Sequence, residues 1–325
     1  MTDPQSTSDK RRVAADLAGV ARAADALTSG RLIAFPTETV YGLGADAGND
    51  DAVARIFEAK GRPHFNPLIV HVADISSARE LVDFERRAEI LVERFWPGAL
   101  TLVLKRRPEA PLSRLVSAGL DTAAIRMPRH AVAHQIIEKA GIPVAAPSAN
   151  RSGFVSPTTA GHVSEAWPME TDMGPDVIVD DGPCDIGLES TVIDLSEPQP
   201  TLLRPGGIAV EELTAVLGDG LRTSEHVDAP KSPGMLSRHY APKTPLAMNV
   251  KNARPDGLLL GFGPTVSDAD LNLSPSGNLR EAAANLFAML HQLDKRGMAE
   301  IAVTPIPDTG LGRAINDRLR RATAE

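Results

Sequence analysis

Apolar and polar positions follow two different periods along this chain, and together they predict an α/β protein. Short apolar runs predict strands at 31–35, 68–72, 99–105, 122–127 and 143–146. Apolar residues spaced three and four apart predict helices near 12–29, at 51–60, within 76–96 and at 131–140. Strands that alternate with helices in this way are typical of a sheet covered by helices.

Further along, apolar runs at 176–180, 190–195 and 201–204 are separated by turn residues instead of helices. Strands joined by short turns run antiparallel, whereas parallel strands need a longer crossover. We therefore expect a twisted, mixed β-sheet flanked by helices, with one more helix at 210–217.

The stretch 218–245 is rich in Gly, Pro, Ser and charge and lacks helical periodicity, which predicts a linker. Two strand–helix pairs follow, with strands at 257–260 and 301–305 and helices at 278–296 and 311–322. Such pairs predict a small Rossmann-like α/β domain. The pattern divides the chain into a first domain at 12–218, a linker at 219–245 and a second domain at 246–325.

The composition fits a cytoplasmic protein of two domains. The chain has 325 residues, 42% of them hydrophobic, and a single cysteine, Cys184, which excludes an intrachain disulfide and a cysteine-cluster zinc site. No long apolar run or signal-peptide pattern is present, and residues 1–12 are typical of a polar tail. A net charge of −8 disfavours broad binding to nucleic acid, although the basic run 105–107 leaves a local patch open.

The segment Phe35-Pro-Thr-Glu-Thr-Val-Tyr-Gly-Leu-Gly44 places hydroxyls, a carboxylate and two glycines directly after a predicted strand. Hydroxyls and backbone amides at the end of a strand are suited to a small-molecule pocket, and glycine lets the backbone approach a ligand. A tight turn with a threonine N-cap would use the same residue types, so the segment alone leaves both interpretations open.

A second segment, Lys60-Gly-Arg-Pro-His-Phe-Asn-Pro-Leu-Ile-Val-His71, groups two cations, an amide and an imidazole at the end of a predicted helix. Gly61 is a plausible helix stop. Arg62 could grip phosphate oxygens with two parallel hydrogen bonds, and Lys60 could act as a point charge. A cation that complements the helix dipole would explain Lys60 equally well, but it explains Arg62 and Asn66 less well.

Other ligand signatures are weak or missing. No phosphate-binding G-x-x-x-x-G-K-[ST] loop occurs, and Gly261-Phe-Gly263 lacks the third glycine of a dinucleotide fingerprint. His130 and His134 have metal-like spacing but no acidic partner between them. The carboxylates Asp172, Asp176, Asp180 and Asp181 could hold magnesium, yet acids at strand ends are ordinary turn residues. We therefore predict no metal site built by the protein.

With these segments in view, the chain resembles the threonylcarbamoyl-AMP synthase family in its long, two-domain form, built on a YrdC-like domain. The matching segments are Pro36–Gly44, Lys60–Arg62, Asn66–Leu68, Pro147–Asn150, Ser152–Gly153, Ser156–Thr159, Glu189–Val192 and Leu203–Gly206. Ser232–Met235 and Arg238–Leu246 resemble the linker that only the long form contains. The resemblance covers about residues 12–246, and the remainder matches more loosely.

The resemblance implies a nucleotidyltransferase that joins L-threonine, bicarbonate or carbon dioxide, and ATP into threonylcarbamoyl-AMP with release of pyrophosphate. Magnesium is expected to arrive with ATP. The product would pass to a separate transferase that completes threonylcarbamoyladenosine in tRNA, without a required contact between this protein and tRNA. Two alternatives remain: an RNA-binding or ribosome-associated YrdC-like module, and a carbamoyl-transfer factor, whose zinc-binding cysteines this chain lacks.

Site residues are carried over from the matched segments. The resemblance assigns the threonine site to Thr37, His71, Arg126 and Ser190. It assigns the ATP site to Lys60, Arg62, Asn66, Thr122, Ala146, Ser148, Asn150, Ser156, Arg204 and Tyr240, with Lys60 and Arg62 as the catalytic cations on the phosphates. For Arg126 a structural ion pair is the alternative, and for Ser148 and Asn150 a capping turn. For Tyr240 the alternatives are an active-site lid and an apolar staple.

Overall fold

The computed structural model describes residues 9–171, 173–223 and 238–324. Eleven strands form the larger of its two sheets, β1 to β11 in chain order. They are Arg12–Ala14, Ile33–Phe35, Gly42–Asp46, Ile69–His71, Leu100–Lys105, Thr122–Arg126, Val144–Ala145, Val177–Asp180, Thr191–Asp194, Thr201–Arg204 and Arg222–Thr223. Their order in the sheet is β1-β8-β2-β3-β7-β4-β6-β5-β9-β10-β11.

Seven helices, α1 to α7, accompany this sheet. They are Leu17–Thr28, Asp50–Lys60, Ile75–Leu81, Arg86–Phe95, Ala131–Ala140, Ala160–Ala166 and Val210–Leu217. Strand β6 pairs in parallel with β4 and antiparallel with β5, so the predicted mixed sheet is confirmed. The helices α1 and α5 cover one side of the sheet together, and a larger core fills the other side.

A second, four-stranded sheet follows. Its strands β12 to β15 are Leu246–Met248, Leu258–Gly261, Leu271–Asn272 and Ile301–Val303, and its helices α8 and α9 are Leu279–Asp294 and Gly312–Thr323. All pairings in this sheet are parallel, in the order β12-β15-β13-β14. Helices α8 and α9 share one apolar core with it, which confirms the α/β class predicted for this part of the chain.

The prediction of one helix over 12–29 was wrong at its start. Residues 12–14 form β1, which pairs with β8, and the helix begins only at Leu17. The reason is Asp16, whose side chain accepts a hydrogen bond from the Gly19 amide at 2.8 Å and caps the first turn. Sequence analysis also missed β3, α6, β11, β12 and β14, which are short or interrupted by glycine.

Residues 238–243, here called the strap, run between the two sheets and contact both. The Ala241 amide donates to the Gly153 carbonyl at 2.9 Å, and the His239 amide donates to the Arg321 carbonyl at 3.1 Å. The Tyr240 ring stacks on Phe287 of α8, with 5.7 Å between ring centroids. The Ser232–Met235 part of the predicted linker lies outside the described residues, as does Asp172.

Candidate active site

A cavity of about 40 Å³ lies where the loops of the large sheet meet the strap. Its walls come from the β2–β3 loop, the ends of β4 and β6, the segment after β7, the start of β9, the end of β10 and the strap. Of the predicted site residues, Thr37, Arg62, His71, Arg126, Ala146, Ser148, Ser190, Arg204 and Tyr240 line it. The volume has room for only a few water molecules, and His239 and Tyr240 of the strap form part of its wall.

Thr37 organises the β2–β3 loop from within. Its hydroxyl donates to the Val40 carbonyl at 2.6 Å and accepts from the amides of Thr39 and Val40, each at 3.2 Å. It also lies 2.8 Å from the Thr39 hydroxyl. These bonds hold the loop in a tight turn between two strands and leave Thr37 on the cavity wall, while its contact with L-threonine stays a prediction.

Arg126 is not a lone guanidinium. At the end of β6, its Nη2 donates to Glu38 Oε1 at 2.7 Å and its Nη1 to the Thr39 hydroxyl at 2.9 Å. Burial alone would raise the pKa of Glu38, but the adjacent guanidinium outweighs it and holds that pKa below its ordinary value. The structural ion pair that sequence analysis kept as an alternative is therefore present, and Arg126 also lines the cavity.

His71 contributes a neutral imidazole. It is the last residue of β4 and is 3% exposed, with the ring edge-on to Phe35. Burial, with the neighbouring charge of Arg126, lowers the pKa of His71 to about 3. Within the described part of the chain, Nδ1 has no hydrogen-bond partner. A neutral ring with an unpaired nitrogen can form one hydrogen bond with a ligand, as donor or acceptor according to its tautomer.

Arg62 and Arg204 add two further guanidinium groups to the cavity wall beside that of Arg126. Arg62 donates to the carbonyls of Asn66 at 3.1 Å and Pro67 at 2.9 Å, which fixes its guanidinium after helix α2. Arg204, at the end of β10, donates to the Ser190 carbonyl at 2.9 Å and to the Ser190 hydroxyl at 3.1 Å. Burial lowers the pKa of both, to about 9 for Arg62. Two guanidinium groups on one small cavity favour an anionic ligand.

Lys60 takes a different position from the one that sequence analysis predicted. Its Nζ donates to the carbonyls of Ser148, at 2.6 Å, and Asn150, and the residue does not line the cavity. Gly61 ends α2 in the left-handed conformation, as predicted, and leaves Lys60 buried under the segment after β7. Burial, with the charge of Arg62, lowers the pKa of Lys60 well below its ordinary value. Lys60 therefore lies behind the cavity wall, and its contact with the ATP phosphates stays a prediction.

Asn66, Asn150 and Ser156 stand behind the walls. Asn150 donates through Nδ2 to the carbonyls of Arg151 and Phe154, at 2.7 and 2.8 Å. Ser156 donates to Glu189, and the amide atoms of Asn66 have no partner among the residues described. None of the three lines the cavity, so the structure brings them near the site without exposing them to it.

Thr122 lies at the opposite end of β6 from Arg126. Residues two apart on a strand share a face, so the two side chains point to the same side of the sheet, about 13 Å apart. Thr122 therefore does not line the cavity. A ligand extended along β6 could still reach both residues.

Glu189 is a cavity residue that sequence analysis did not assign. It accepts hydrogen bonds from Ser156 on Oε1 and from Arg318 on Oε2, the latter at 2.9 Å. Burial alone would raise the pKa of Glu189, but the charges of Arg318 and Arg204 outweigh it and lower that pKa. Its place inside the matched segment Glu189–Val192 was the available signal. Thr39 and His239 also line the cavity and were missed, whereas Glu38 lies behind the wall as the ion-pair partner of Arg126.

Tyr240 closes the cavity from the strap. It is 1% exposed, and its backbone φ of 64° is unusual for a residue other than glycine. Burial raises the pKa of Tyr240, so the phenol is neutral. Its hydroxyl has no hydrogen-bond partner in the part of the chain that the structure describes. A buried donor without a partner, on a cavity wall, is suited to a polar ligand atom.

Across the described ranges, no group of three or more His, Cys, Asp or Glu residues is arranged to hold a metal ion. No helix within those ranges has the length and apolar character needed to cross a membrane.

Comparison with known proteins gives the family. A sequence model described as "Telomere recombination" matches residues 25–206, and one described as "Threonylcarbamoyl-AMP synthase, C-terminal domain" matches residues 208–324. The chain belongs to the threonylcarbamoyl-AMP synthase family. The threonylcarbamoyl-AMP synthase of Bacillus subtilis (strain 168) is 43% identical, over 99% of this chain and 95% of that protein.

Solved structures of the family agree over the whole chain. The crystal structure of P. abyssi Sua5 complexed with L-threonine matches with a TM-score of 0.85 and 40% identity, and covers 96% of each chain. A variant of P. abyssi Sua5 in which an adjacent histidine and tyrosine are both alanine matches with a TM-score of 0.82 and 39% identity, over 94% of this chain and 92% of that one. The resemblance seen in the sequence and the predicted fold are thus confirmed.

Proposed function

We propose that this protein makes threonylcarbamoyl-AMP from L-threonine, bicarbonate or carbon dioxide, and ATP, and releases pyrophosphate. The observation that carries the proposal is the closed cavity, which combines hydroxyl and imidazole groups with the guanidinium groups of Arg62 and Arg204. Hydroxyl and imidazole groups are suited to binding an amino acid, and guanidinium groups are suited to binding a polyphosphate. The full-length similarity to threonylcarbamoyl-AMP synthases supports the same reaction.

The reaction has two steps. The threonine amine first adds to carbon dioxide and loses a proton, which gives a carbamate. A carbamate oxygen then attacks the α-phosphorus of ATP, a new P–O bond forms, and pyrophosphate leaves in line. Such a transfer depends on positioning and on neutralising charge more than on a covalent nucleophile. Buried guanidinium groups supply that neutralisation without the screening of bulk water.

The proposal divides the site into two parts. Thr37, His71, Arg126 and Ser190 would bind L-threonine. The nucleotide would be bound or supported by Lys60, Arg62, Asn66, Thr122, Ala146, Ser148, Asn150, Ser156, Arg204 and Tyr240. Magnesium would arrive on the ATP phosphates.

The product is a mixed anhydride that water hydrolyses, so its consumer has to receive it soon after release. We propose hand-off in the cytoplasm to a transferase that places the threonylcarbamoyl group on adenosine in tRNA. A net charge of −8 gives no electrostatic reason for this chain itself to bind tRNA.

The test is a substrate-omission experiment. The purified protein is incubated with ATP, magnesium, bicarbonate and L-threonine, while pyrophosphate is followed and threonylcarbamoyl-AMP is sought by mass spectrometry. Product that requires every substrate is expected. ATP turnover that is indifferent to threonine would replace the proposal with another acyl or carbamoyl chemistry, and no turnover would favour a binding module.

Thr37→Ala tests the threonine part of the site. It removes the hydroxyl that both organises the β2–β3 loop and faces the cavity, so the KM for L-threonine should rise. Thr37→Ser keeps the hydroxyl and is the matched control. An unchanged threonine dependence in the alanine variant would remove Thr37 from the amino-acid site.

A further inference from the structure

One buried arginine connects the second sheet to the candidate active site. Arg318 lies on helix α9, yet its side chain is 1% exposed and reaches residues of the larger sheet. Its Nε donates to Glu189 at 2.9 Å, and its Nη1 donates to the Pro205 carbonyl at 2.7 Å and to Asp317 at 2.9 Å. These contacts fix the guanidinium in one orientation.

Both ends of this arrangement reach the cavity. Glu189 lines the cavity wall, and its two carboxylate oxygens are held separately by Ser156 and Arg318. The guanidinium carbon of Arg318 also lies 5.1 Å from the centre of the Tyr240 ring, at cation–π distance. Phe287 of α8 stacks with that ring. Tyr240 thus reaches the cavity between two side chains of the second sheet's helices.

Position 318 requires the planar guanidinium group of arginine, whose donors point in several fixed directions. The guanidinium binds a carboxylate, a carbonyl and a second acid while it faces an aromatic ring. A lysine ammonium could keep the charge but not all four interactions at once. Arg204 and Ser156 would still interact with Glu189 if the Arg318 guanidinium were lost. The loss should therefore make the cavity wall less rigid but leave Glu189 ionised.

We propose that Arg318 is a positioning residue for the proposed synthase reaction, through which the second domain holds Glu189 and Tyr240 in the geometry that keeps water from the reacting groups. This inference rests on the proposed function. Arg318 does not line the cavity, so it acts through the two residues that do. A site that admits water would hydrolyse the mixed anhydride and release pyrophosphate without recoverable product.

Arg318→Lys is the first test. In the wild type and the variant, pyrophosphate and threonylcarbamoyl-AMP are quantified together under saturating substrates. We expect the variant to lose turnover by about tenfold, as for a misplaced site, with the KM for L-threonine within about twofold of the wild type. The ratio of pyrophosphate to product should rise. Arg320→Lys, an exposed arginine on the same helix, should match the wild type in all three readouts.

A second readout is independent of catalysis. Hydrogen exchange of the strap peptide reports the amides of His239 and Ala241, which are hydrogen-bonded in the closed structure. Exchange there should be faster in Arg318→Lys than in the wild type and unchanged in Arg320→Lys. If Arg318→Lys does not fold, the double variant Arg318→Gln with Glu189→Gln removes both charges together and should show the same raised ratio.

The outcomes separate the two proposals. A wild type that makes no threonylcarbamoyl-AMP overturns the proposed function, whereas the strap exchange still tests Arg318. A folded Arg318→Lys variant with a lower Tm but wild-type turnover, product ratio and strap exchange would show that the arginine is only an interdomain staple. That result would overturn this inference and leave the proposed function intact.

Discussion

Arg62 and Arg204 bring two buried guanidinium groups onto a small cavity, which Arg126 in its ion pair with Glu38 also lines. The ionised Glu189 lies on the same cavity and offsets part of that charge. An incoming polyphosphate would supply the remaining negative charge, which is why charge removal here should affect ATP more than threonine.

Arg62→Ala tests whether removal of one positive charge from the cavity weakens the use of ATP. Loss of a charge-assisted phosphate contact should cost about 2–3 kcal/mol, or roughly a hundredfold in kcat/KM for ATP. The KM for threonine should change little. The steady-state kinetics of both substrates provide the measurement. Arg55→Ala, on the helix that precedes Arg62, removes a surface ion pair with Asp176 and a hydrogen bond to the Gly30 carbonyl, and it serves as the control. Normal ATP kinetics in Arg62→Ala would remove Arg62 from the nucleotide site.

Tyr240→Phe separates the lid from the staple interpretation. The hydroxyl has no partner among the described residues, so its removal leaves no buried group unpaired and Tm should stay the same or rise slightly. Turnover should fall, by about tenfold, if the hydroxyl contacts the nucleotide. Calorimetry and a product assay on one preparation measure both. A variant with full activity would leave only the ring contacts with Phe287 and Arg318 as the role of Tyr240.

The position of a residue on the cavity could be predicted where the residue lies inside a contiguous motif, because the motif as a whole forms part of the cavity wall. Thr37, Arg62, Ser148 and Arg204 are of this kind. Arg318 was not predictable, since its partner Glu189 lies 129 residues away and nothing in the local sequence of α9 indicates the contact. For Lys60 the motif was recognised but the direction of the side chain was not, because the type and position of a residue do not fix which way a long side chain points.

At the level of secondary-structure elements, capping residues decided which boundaries could be predicted. Asn49 caps α2 at its start, and Gly61 and Gly141 end α2 and α5 in the left-handed conformation. Helix α5 was predicted at its observed bounds. Strand β3 was missed because glycine favours turns, whereas here Gly42 and Gly44 are extended and lie against the ring of Phe35.

Gly44→Ala tests that close packing. A Cβ at this position would lie 2.9 Å from Phe35 and 3.0 Å from Val144, so neighbouring strands would have to shift. We expect a loss of about 1–3 kcal/mol in the free energy of unfolding, measured by urea denaturation. Gly220→Ala, where the nearest atom is 3.9 Å away, should stay within about 0.5 kcal/mol of the wild type. Equal stabilities for the two variants would contradict the packing role.

For the molecule as a whole, the two sheets are joined by the strap, by polar contacts and by apolar packing, because Val40, Val155 and Leu188 from segments around the larger sheet belong to the core of the second sheet. The α/β class and the mixed sheet followed from the pattern of the sequence. The division at 218 and 246 stays a prediction, and so does the location in the cytoplasm. The joint between the sheets could not be predicted, because it depends on distant side chains such as His162 and His291, whose rings stack at 4.1 Å.

Buried histidines predict an acid-sensitive molecule. Burial lowers the pKa of His71 and of His162 from 6.5 to about 3. Because the unfolded chain binds protons at these positions below about pH 6.5 and the folded chain does not, stability is full above that pH and falls as the pH drops toward 3. Each histidine should contribute a slope of about 1.4 kcal/mol per pH unit.

Urea unfolding at several pH values from 7 down to about 5 measures this slope. His162→Phe keeps an aromatic ring stacked on His291. It should lower the slope by about 1.4 kcal/mol per pH unit, the contribution of one proton. A slope that His162→Phe does not alter would mean that the ring is protonated in the folded protein.

The volume of the closed cavity has a kinetic consequence. A space of about 40 Å³ is too small for ATP together with L-threonine, so we expect the strap to move away and return in every cycle. Motion of a chain segment through solvent is slowed by friction, whereas bond making inside a dry cavity is not. Turnover should therefore fall as sucrose raises the viscosity of the medium. A rate that does not respond to viscosity would place the slow step in the chemistry.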